Sequence, residues 1–243
     1  NENLKKYKIK YNSNIPFDCH SKIRSEEACL KSTKKIIKLA KETNARLHVF
    51  HLSTKLESLL FQNDIPLKEK KITSEVCVHH LWFSDKDYKD KQSFIKWNPA
   101  IKTEEDRNGL WDSLLDDRID VIATDHAPHT LEEKSKPYLD CPSGGPLVQH
   151  ALVSMIQHHL NNKISLEKIV TKMCHNPAIL FQISKRGYVR EGYYADLVLI
   201  DINKSWTVNK DNILKAFLAG LFSSITIGAL TLLTYKTSLG LFL

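Results

Sequence analysis

Polar side chains that could bind a metal ion follow three predicted strands of this chain. The strands cover residues 46–52, 72–78 and 119–124. The polar residues at their ends are His51, Ser53 and Thr54 for the first strand, His79 and His80 for the second, and Asp125, His126 and His129 for the third. Catalytic groups collect at the carboxyl ends of barrel strands. Imidazole and carboxylate are the usual ligands of a catalytic zinc ion, and a carboxylate beside the metal-bound water can take its proton.

Each of these side chains also has a purely structural interpretation. His48 and His51 can be ordinary core or surface histidines, and Asp125 can cap a helix, as an Asp after a strand often does. His79 and His80 can pack under a loop. No single residue decides between the two roles. Three neighbouring strands that all end in His or Asp together favour a metal-dependent hydrolase.

The elements that must position these side chains alternate between strand and helix. Ser25 can cap a helix that runs to about Thr43, and Thr103 begins another with acidic residues in its first turn. Further helices are predicted over residues 147–160 and 165–174, after a loop over 130–146 that is rich in Pro and Gly. This alternation predicts an α/β fold with a parallel sheet.

The charge pattern argues against a nucleic-acid-binding protein. The 243 residues carry a formal net charge of +7. The lysines stand among acidic residues, as expected of solvated helix faces, and no Arg-rich arm or interleaved aromatic pattern is present. A positive balance can still favour an anionic small-molecule substrate. We therefore expect a small-molecule substrate and no nucleic-acid partner.

Cysteine usage and the terminal segments predict a cytoplasmic protein. The five cysteines are odd in number and form no C-x-x-C pair, which argues against a disulfide framework. The first residues have no apolar core and do not resemble a signal peptide. Residues 216–234 carry no charge and are long enough to span a bilayer, but their Ser, Thr and Gly content makes a membrane segment the less favoured interpretation.

Six motifs of this chain carry a family resemblance. They are ATDHAPHTLEEK (123–134), RLHVFHLST (46–54), EVCVHHL (75–81), KWNPAIKTEEDR (96–107), HNPAILFQI (175–183) and REGYYADLVLID (190–201). They resemble the motifs of dihydroorotases, members of the amidohydrolase superfamily. The similarity runs from about Phe17 to Val208 and is strongest to long-chain bacterial enzymes. It implies a partial TIM-type (β/α) barrel, strands six to eight, over residues 1–185. It also implies the remnant of a small C-terminal β domain over 186–212, followed by an atypical hydrophobic tail over 213–243.

The resemblance also implies roles for individual residues. His51 and Asp125 would be zinc ligands, whereas His48 would not, and Asp125 would also be the base that moves a proton to and from the ring nitrogen. Asn98 and His129 would contact the substrate, together with the backbone around Ser143 and Gly144. The family usually has an aromatic residue in place of Ser143 and Pro in place of Val78. The reaction implied is the interconversion of dihydroorotate and N-carbamoyl-L-aspartate in pyrimidine biosynthesis, with one or two zinc ions.

Other parts of the family's metal site have no candidate in this sequence. These parts are a His-x-His pair on the first strand, a bridging Lys or Asp, and a His from strand five. We expect a fragment that lacks five βα units and is inactive alone, with a tail that arises from a shifted reading frame. The alternatives are a hydantoinase-like or allantoinase-like enzyme and a non-catalytic partner subunit. The sequence leaves a homo-oligomer open.

Overall fold

The computed structural model describes residues 2–205, 207–209, 213 and 241–242. Its strands are β1 (Leu47–Val49), β2 (Ile72–Cys77), β3 (Val121–Ala123), β4 (Leu199–Ile200) and β5 (Leu241–Phe242). Its helices are α1 (Glu2–Lys10), α2 (His20–Ile23), α3 (Glu26–Thr43), α4 (Lys55–Ser58), α5 (Val78–Trp82), α6 (Tyr88–Lys91), α7 (Glu104–Leu115), α8 (Leu131–Lys134), α9 (Ala151–Leu160), α10 (Leu166–Val170) and α11 (Asn176–Leu180). A π-helical turn over Thr171–His175 joins the last two helices.

The first three strands form one parallel sheet in chain order. Leu47 pairs with Ile72 between β1 and β2, and Glu75 pairs with Val121 between β2 and β3. Parallel neighbours must be joined by crossover connections, and helices supply them here. Within the described residues, β1 and β3 each pair with β2 alone in this sheet. The predicted α/β architecture with three parallel strands is confirmed.

Local hydrogen bonds explain where the two longest helices begin. The side chain of Ser25 accepts a hydrogen bond from the amide of Ala28 at the start of α3. At the start of α7, the side chain of Thr103 accepts from the amide of Asp106, whose carboxylate accepts from the amide of Thr103. Such caps satisfy amides that the helix itself leaves unpaired. Both predicted starts are therefore confirmed.

The main core lies between the sheet and the helices that follow it. Its largest fully buried members are Leu52, Leu81, Leu110, Trp111, Leu114, Ile119, Met155 and Ile169. They come from the segments next to β1 and β3 and from α5, α7, α9 and α10, so burial of apolar surface fixes the helices against the strands. The indole Nε1 of Trp111 donates to the carbonyl of Leu81 at 2.9 Å. Packing in this core holds in place the strand ends that carry the candidate site.

A buried ion pair closes the opposite end of the sheet. Lys70 and Asp120 precede β2 and β3, and their charged atoms lie 2.8 Å apart with each side chain 3% exposed. The other carboxylate oxygen of Asp120 accepts from the amide of Ser74 at 3.0 Å. The amino-terminal ends of barrel strands are the face where stability rather than catalysis is usually determined. The pair therefore holds the amino-terminal ends of β2 and β3 side by side.

The C-terminal segment is only partly strand. Of the predicted strand over 194–202, the structure forms β4, which pairs antiparallel with β5. The predicted loop over 130–146 also contains one short helix, α8. Most of the hydrophobic tail over 213–243 lies outside the described residues, so its origin in a shifted reading frame stays a prediction. The division of the chain into three segments also stays a prediction. No helix among the described residues is long and apolar enough to cross a membrane.

Candidate metal and substrate site

His51 and Asp125 lie at the same end of the parallel sheet, two residues beyond β1 and β3. Both have backbone angles in the left-handed region, with φ of 41° and 47°. That conformation costs about 1–3 kcal/mol for a residue other than glycine and collects at functional sites. Burial raises the pKa of the Asp125 carboxyl, and the nearby His51 acts in the opposite direction. The two groups are therefore within electrostatic reach of each other across the strand ends.

Glu75 is a further acidic group beside this pair, and the sequence analysis did not identify it. It lies on β2, is 9% exposed, and also raises the pKa of Asp125. Its carboxylate is 3.2 Å from Nε2 of His48, whose Nδ1 is 2.9 Å from the hydroxyl of Thr73. Both ring nitrogens of His48 are thus engaged within the sheet, and its expected non-ligand role stays a prediction. Glu75 could have been selected from the sequence, because it is an acidic residue within a strand whose other positions are predicted to be buried.

His51 and Asn98 line one open cleft of about 530 Å³. The same cleft is lined by Arg24, which precedes α3, by Cys29 in the first turn of α3, and by Glu57 of α4. An arginine at this position offers a fork of donors that suits a carboxylate. The sequence analysis did not select Arg24, because nothing in the local pattern around it distinguishes it from a solvated cation.

His129, Ser143 and Gly144 meet in a second cluster, outside the lining of that cleft. Nε2 of His129 donates to the carbonyl of Ser143 at 3.1 Å. Gly144 has φ of +132°, and its amide donates to the carbonyl of Lys96 at 2.9 Å. A Cβ at Gly144 would lie 2.7 Å from the backbone oxygen of Ala127. The loop therefore needs glycine where it passes closest to the TDHAPH segment.

Two buried lysines hold this loop in place without an acidic partner. Nζ of Lys134 donates to the carbonyls of Pro142 at 3.2 Å and Gly144 at 3.1 Å. Nζ of Lys96 donates to the carbonyls of Tyr138, at 2.7 Å, and Cys141. The lysines are 5% and 7% exposed, and burial lowers both pKa values. The four carbonyls offset part of the cost of burying the two ammonium groups.

The remaining polar residues at the strand ends are buried or bond to neighbouring backbone. Thr54 caps α4 by accepting from the amide of Glu57 at 3.1 Å, and Ser53 is 1% exposed beside it. Nδ1 of His126 accepts from the amide of Val148 at 3.1 Å. His79 and His80 are 1% and 2% exposed, so both rings lie inside the fold.

A parallel sheet with imidazole and carboxylate at its carboxyl end is the arrangement of the metal-dependent barrel hydrolases. Residues 13–222 match the model of the amidohydrolase family, and the chain belongs to that family. Its resemblance to dihydroorotases is confirmed by curated relatives. The dihydroorotase of Carboxydothermus hydrogenoformans is 38% identical over 176 residues, which are 72% of this chain and 41% of the relative. That of Halobacterium salinarum is 32% identical over 196 residues, 81% of this chain and 45% of the relative.

Solved structures agree with the barrel-type fold. The L-hydantoinase (dihydropyrimidinase) of Arthrobacter aurescens superposes with a TM-score of 0.63 at 25% identity, over 68% of this chain and 38% of that one. The dihydroorotase of Saccharomyces cerevisiae, solved with 5-fluoroorotic acid, superposes with a TM-score of 0.58 at 18% identity, over 67% and 44%. The chain spans less than half the length of the curated relatives it matches.

Proposed function

We propose that this chain forms part of the zinc site and substrate site of a cyclic-amide hydrolase that interconverts dihydroorotate and N-carbamoyl-L-aspartate. The observation that carries the proposal is the juxtaposition of His51 and Asp125 at the carboxyl end of one parallel sheet. The names of the curated relatives support the choice of substrate and, with it, a place in pyrimidine biosynthesis.

The donor set suits zinc. One imidazole and one carboxylate at the mouth of a barrel are ligands of catalytic zinc sites, which keep a position open. When bound, zinc polarises a carbonyl and makes hydroxide available near neutral pH. Asp125 is half-buried at the strand end, where a carboxylate can accept a proton as well as bind the metal. It would take a proton from the attacking water and return it to the ring nitrogen.

Substrate recognition falls to the cleft and the tethered loop. Arg24 and Asn98 line the cleft beside His51, where they can bind a carboxylate and an amide of the substrate. His129 is fixed by the carbonyl of Ser143, and the buried lysines hold the loop on which Gly144 lies. We propose that the backbone of this loop around Ser143 and Gly144 closes over the bound substrate.

The described strands supply two metal ligands, whereas a catalytic zinc usually has three protein ligands. A closed barrel also needs eight strands. We therefore propose that catalysis requires further βα units besides these three and that the isolated chain is inactive. Cytoplasmic location and assembly into a homo-oligomer stay predictions.

Hydrolysis of a hydantoin is the second candidate, because the structure of an L-hydantoinase superposes on this chain. A chimera separates the two. The matched 176-residue segment of the Carboxydothermus dihydroorotase is replaced by the corresponding residues of this chain, and hydrolysis of dihydroorotate and of hydantoin is measured. We expect turnover of dihydroorotate and little of hydantoin. A folded, zinc-loaded chimera that hydrolyses only hydantoin, or neither compound, would overturn the assignment.

Asp125→Asn in the same chimera tests the role of the carboxylate. Since general acid–base catalysis contributes about 10²–10⁴-fold, the rate should fall at least that far. Asp112→Asn is the matched control, because Asp112 is exposed on α7. The two variants should differ in rate and, to a smaller extent, in zinc content measured by mass spectrometry. Equal rates in the two variants would remove Asp125 from the mechanism.

A further inference from the structure

Three side chains with metal-ligating atoms meet where β2 runs into α5. They are Cys77, His79 and His80, and one ligand atom from each lies within 4.8 Å of the other two. Their exposed fractions are 0%, 1% and 2%. Two neighbouring histidines and a cysteine two residues earlier thus face one another in the interior of the protein. The cluster lies within electrostatic reach of the His51–Asp125 pair but does not include either residue.

The polar atoms of this cluster are largely unpaired. Both ring nitrogens of His79 and Nδ1 of His80 have no hydrogen-bond partner among the described residues. A buried polar atom left without a hydrogen-bond partner is costly, because it loses its bonds to water and gains none in return. Native proteins rarely tolerate three such atoms in one place unless a ligand satisfies them. The cluster therefore needs an occupant that accepts lone pairs.

The surroundings prepare His80 for such an occupant. Its Nε2 lies 3.2 Å from the carbonyl oxygen of Pro99. A carbonyl can only accept, so Nε2 carries the proton and Nδ1 presents its lone pair to the cluster. A hydrogen bond from the second ring nitrogen to a backbone carbonyl is the usual way in which proteins orient a metal-bound histidine.

The ring of His79 is also held. It stacks on Trp97 with 4.5 Å between ring centroids and 12° between planes, and it lies 4.2 Å from the ring of His80. His79 lines a mostly apolar cleft of about 410 Å³ together with Trp82 and Phe83. That cleft offers an entry path to an otherwise enclosed cluster.

We propose that Cys77 Sγ, one ring nitrogen of His79 and Nδ1 of His80 bind a single thiophilic cation such as Zn²⁺, at a site separate from the His51–Asp125 pair. One thiolate and two imidazoles form a ligand set typical of zinc, with Zn–S near 2.3 Å and Zn–N near 2.0–2.1 Å. Such bonds place ligand atoms about 3–4 Å apart, so the cluster needs only a small contraction.

Binding exchanges a proton for the cation. The S–H bond of Cys77 breaks, its proton passes to solvent, and a sulfur–metal bond forms without any change of oxidation state. The two imidazoles bind in their neutral forms. Because a metal ligand must be deprotonated, the cation and the thiol proton compete for the sulfur, and affinity should fall as the pH is lowered.

Cobalt reports on this site directly, because a thiolate bound to Co²⁺ gives a near-ultraviolet charge-transfer band that imidazole and carboxylate ligands do not. The full 243-residue chain is freed of metal with a chelator and titrated with Co²⁺. We expect the band to saturate at one equivalent and to disappear in Cys77→Ser. Cys29→Ser is the matched control, since Cys29 lies by the cleft of His51, and it should keep the band.

Affinity gives a second measure. Loss of an outer partner of a metal ligand already costs about 10- to 100-fold, so His80→Gln should weaken Co²⁺ binding at least tenfold. His51→Ala should leave the charge-transfer band in place, which separates this site from the proposed catalytic one. No band in the unmodified chain, or a band that survives Cys77→Ser, would overturn the proposal.

If a variant does not fold, the unmodified chain still tests the proposal by X-ray absorption. X-ray absorption at the zinc edge should then show one sulfur at about 2.3 Å in the shell of the first bound equivalent. A shell of nitrogen and oxygen alone would exclude Cys77 as a ligand. This result does not depend on hydrolytic activity.

Discussion

Replacement of Gly144 by alanine tests the close contact between the loop and the TDHAPH segment. A Cβ at this position would lie 2.7 Å from both the Cβ and the carbonyl oxygen of Ala127, and 3.2 Å from Nε2 of His129. Carbon atoms in ordinary contact are about 3.5–4.0 Å apart, so the loop must move by roughly 1 Å. The buried lysines that bind its carbonyls oppose that movement.

The cost of Gly144→Ala has two parts. The φ of +132° is strained for alanine, at about 1–3 kcal/mol, and overpacking adds about 1–3 kcal/mol. We expect the free energy of unfolding to fall by about 2–6 kcal/mol. Gly192→Ala is the matched control, because Gly192 has φ of +78° and no atom lies within 4 Å of the place that a Cβ would take there, so only backbone strain of about 1–2 kcal/mol applies.

Equilibrium unfolding in urea, followed by far-ultraviolet circular dichroism, measures both variants on the chain itself. In the dihydroorotase chimera, Gly144→Ala should also raise KM more than Gly192→Ala does, since the clash displaces His129. Equal losses of stability in the two variants would refute the close approach of loop and strand end. A stable Gly144→Ala variant with unchanged KM would show that the loop does not meet the substrate.

Three further predictions test the fold that positions the site. Lys70→Met should lower the free energy of unfolding by about 3–5 kcal/mol by leaving buried Asp120 unpaired, and Lys70→Met combined with Asp120→Asn should recover most of this in urea unfolding. Burial lowers the pKa of His20 to about 4, so the unfolded state takes up a proton at a higher pH than the folded state does. The free energy of unfolding should therefore fall by about 3 kcal/mol between pH 6.5 and pH 4. In urea unfolding, the His20→Phe variant should show a smaller fall over the same range. Thr103→Ala should cost about 1 kcal/mol in thermal unfolding, because it removes a capping box, and an unchanged midpoint would contradict that cap.

Features that depend on neighbouring residues were predictable from the sequence. The starts of α3 and α7 follow from Ser25 and Thr103, whose side chains bond to amides three residues away. The strand order follows from βα alternation, since successive units pack side by side. His51 and Asp125 could be selected because each comes directly after a strand whose carboxyl end faces the same way.

Features that join distant segments were missed. The contacts of Lys96 and Lys134 with the loop carbonyls include partners 42 and 10 residues away, and no local pattern distinguishes these lysines from solvated ones. Arg24 enters the cleft only because α3 packs beside the end of β1. The strand over 194–202 was predicted too long. Its residues have β propensity along the whole segment, but among the described residues only Leu199 and Ile200 pair with β5.

By itself, the sequence determined the family, the order of strands and helices, and the two residues most suited to a metal at the strand ends. These properties are written in local patterns and in motifs that the chain shares with its relatives. Only the tertiary structure decided which polar groups are buried together, such as Cys77 with His79 and His80, and which are merely caps. Burial and hydrogen bonding depend on contacts between segments that are distant along the chain. The spacing of residues in the sequence does not specify those contacts.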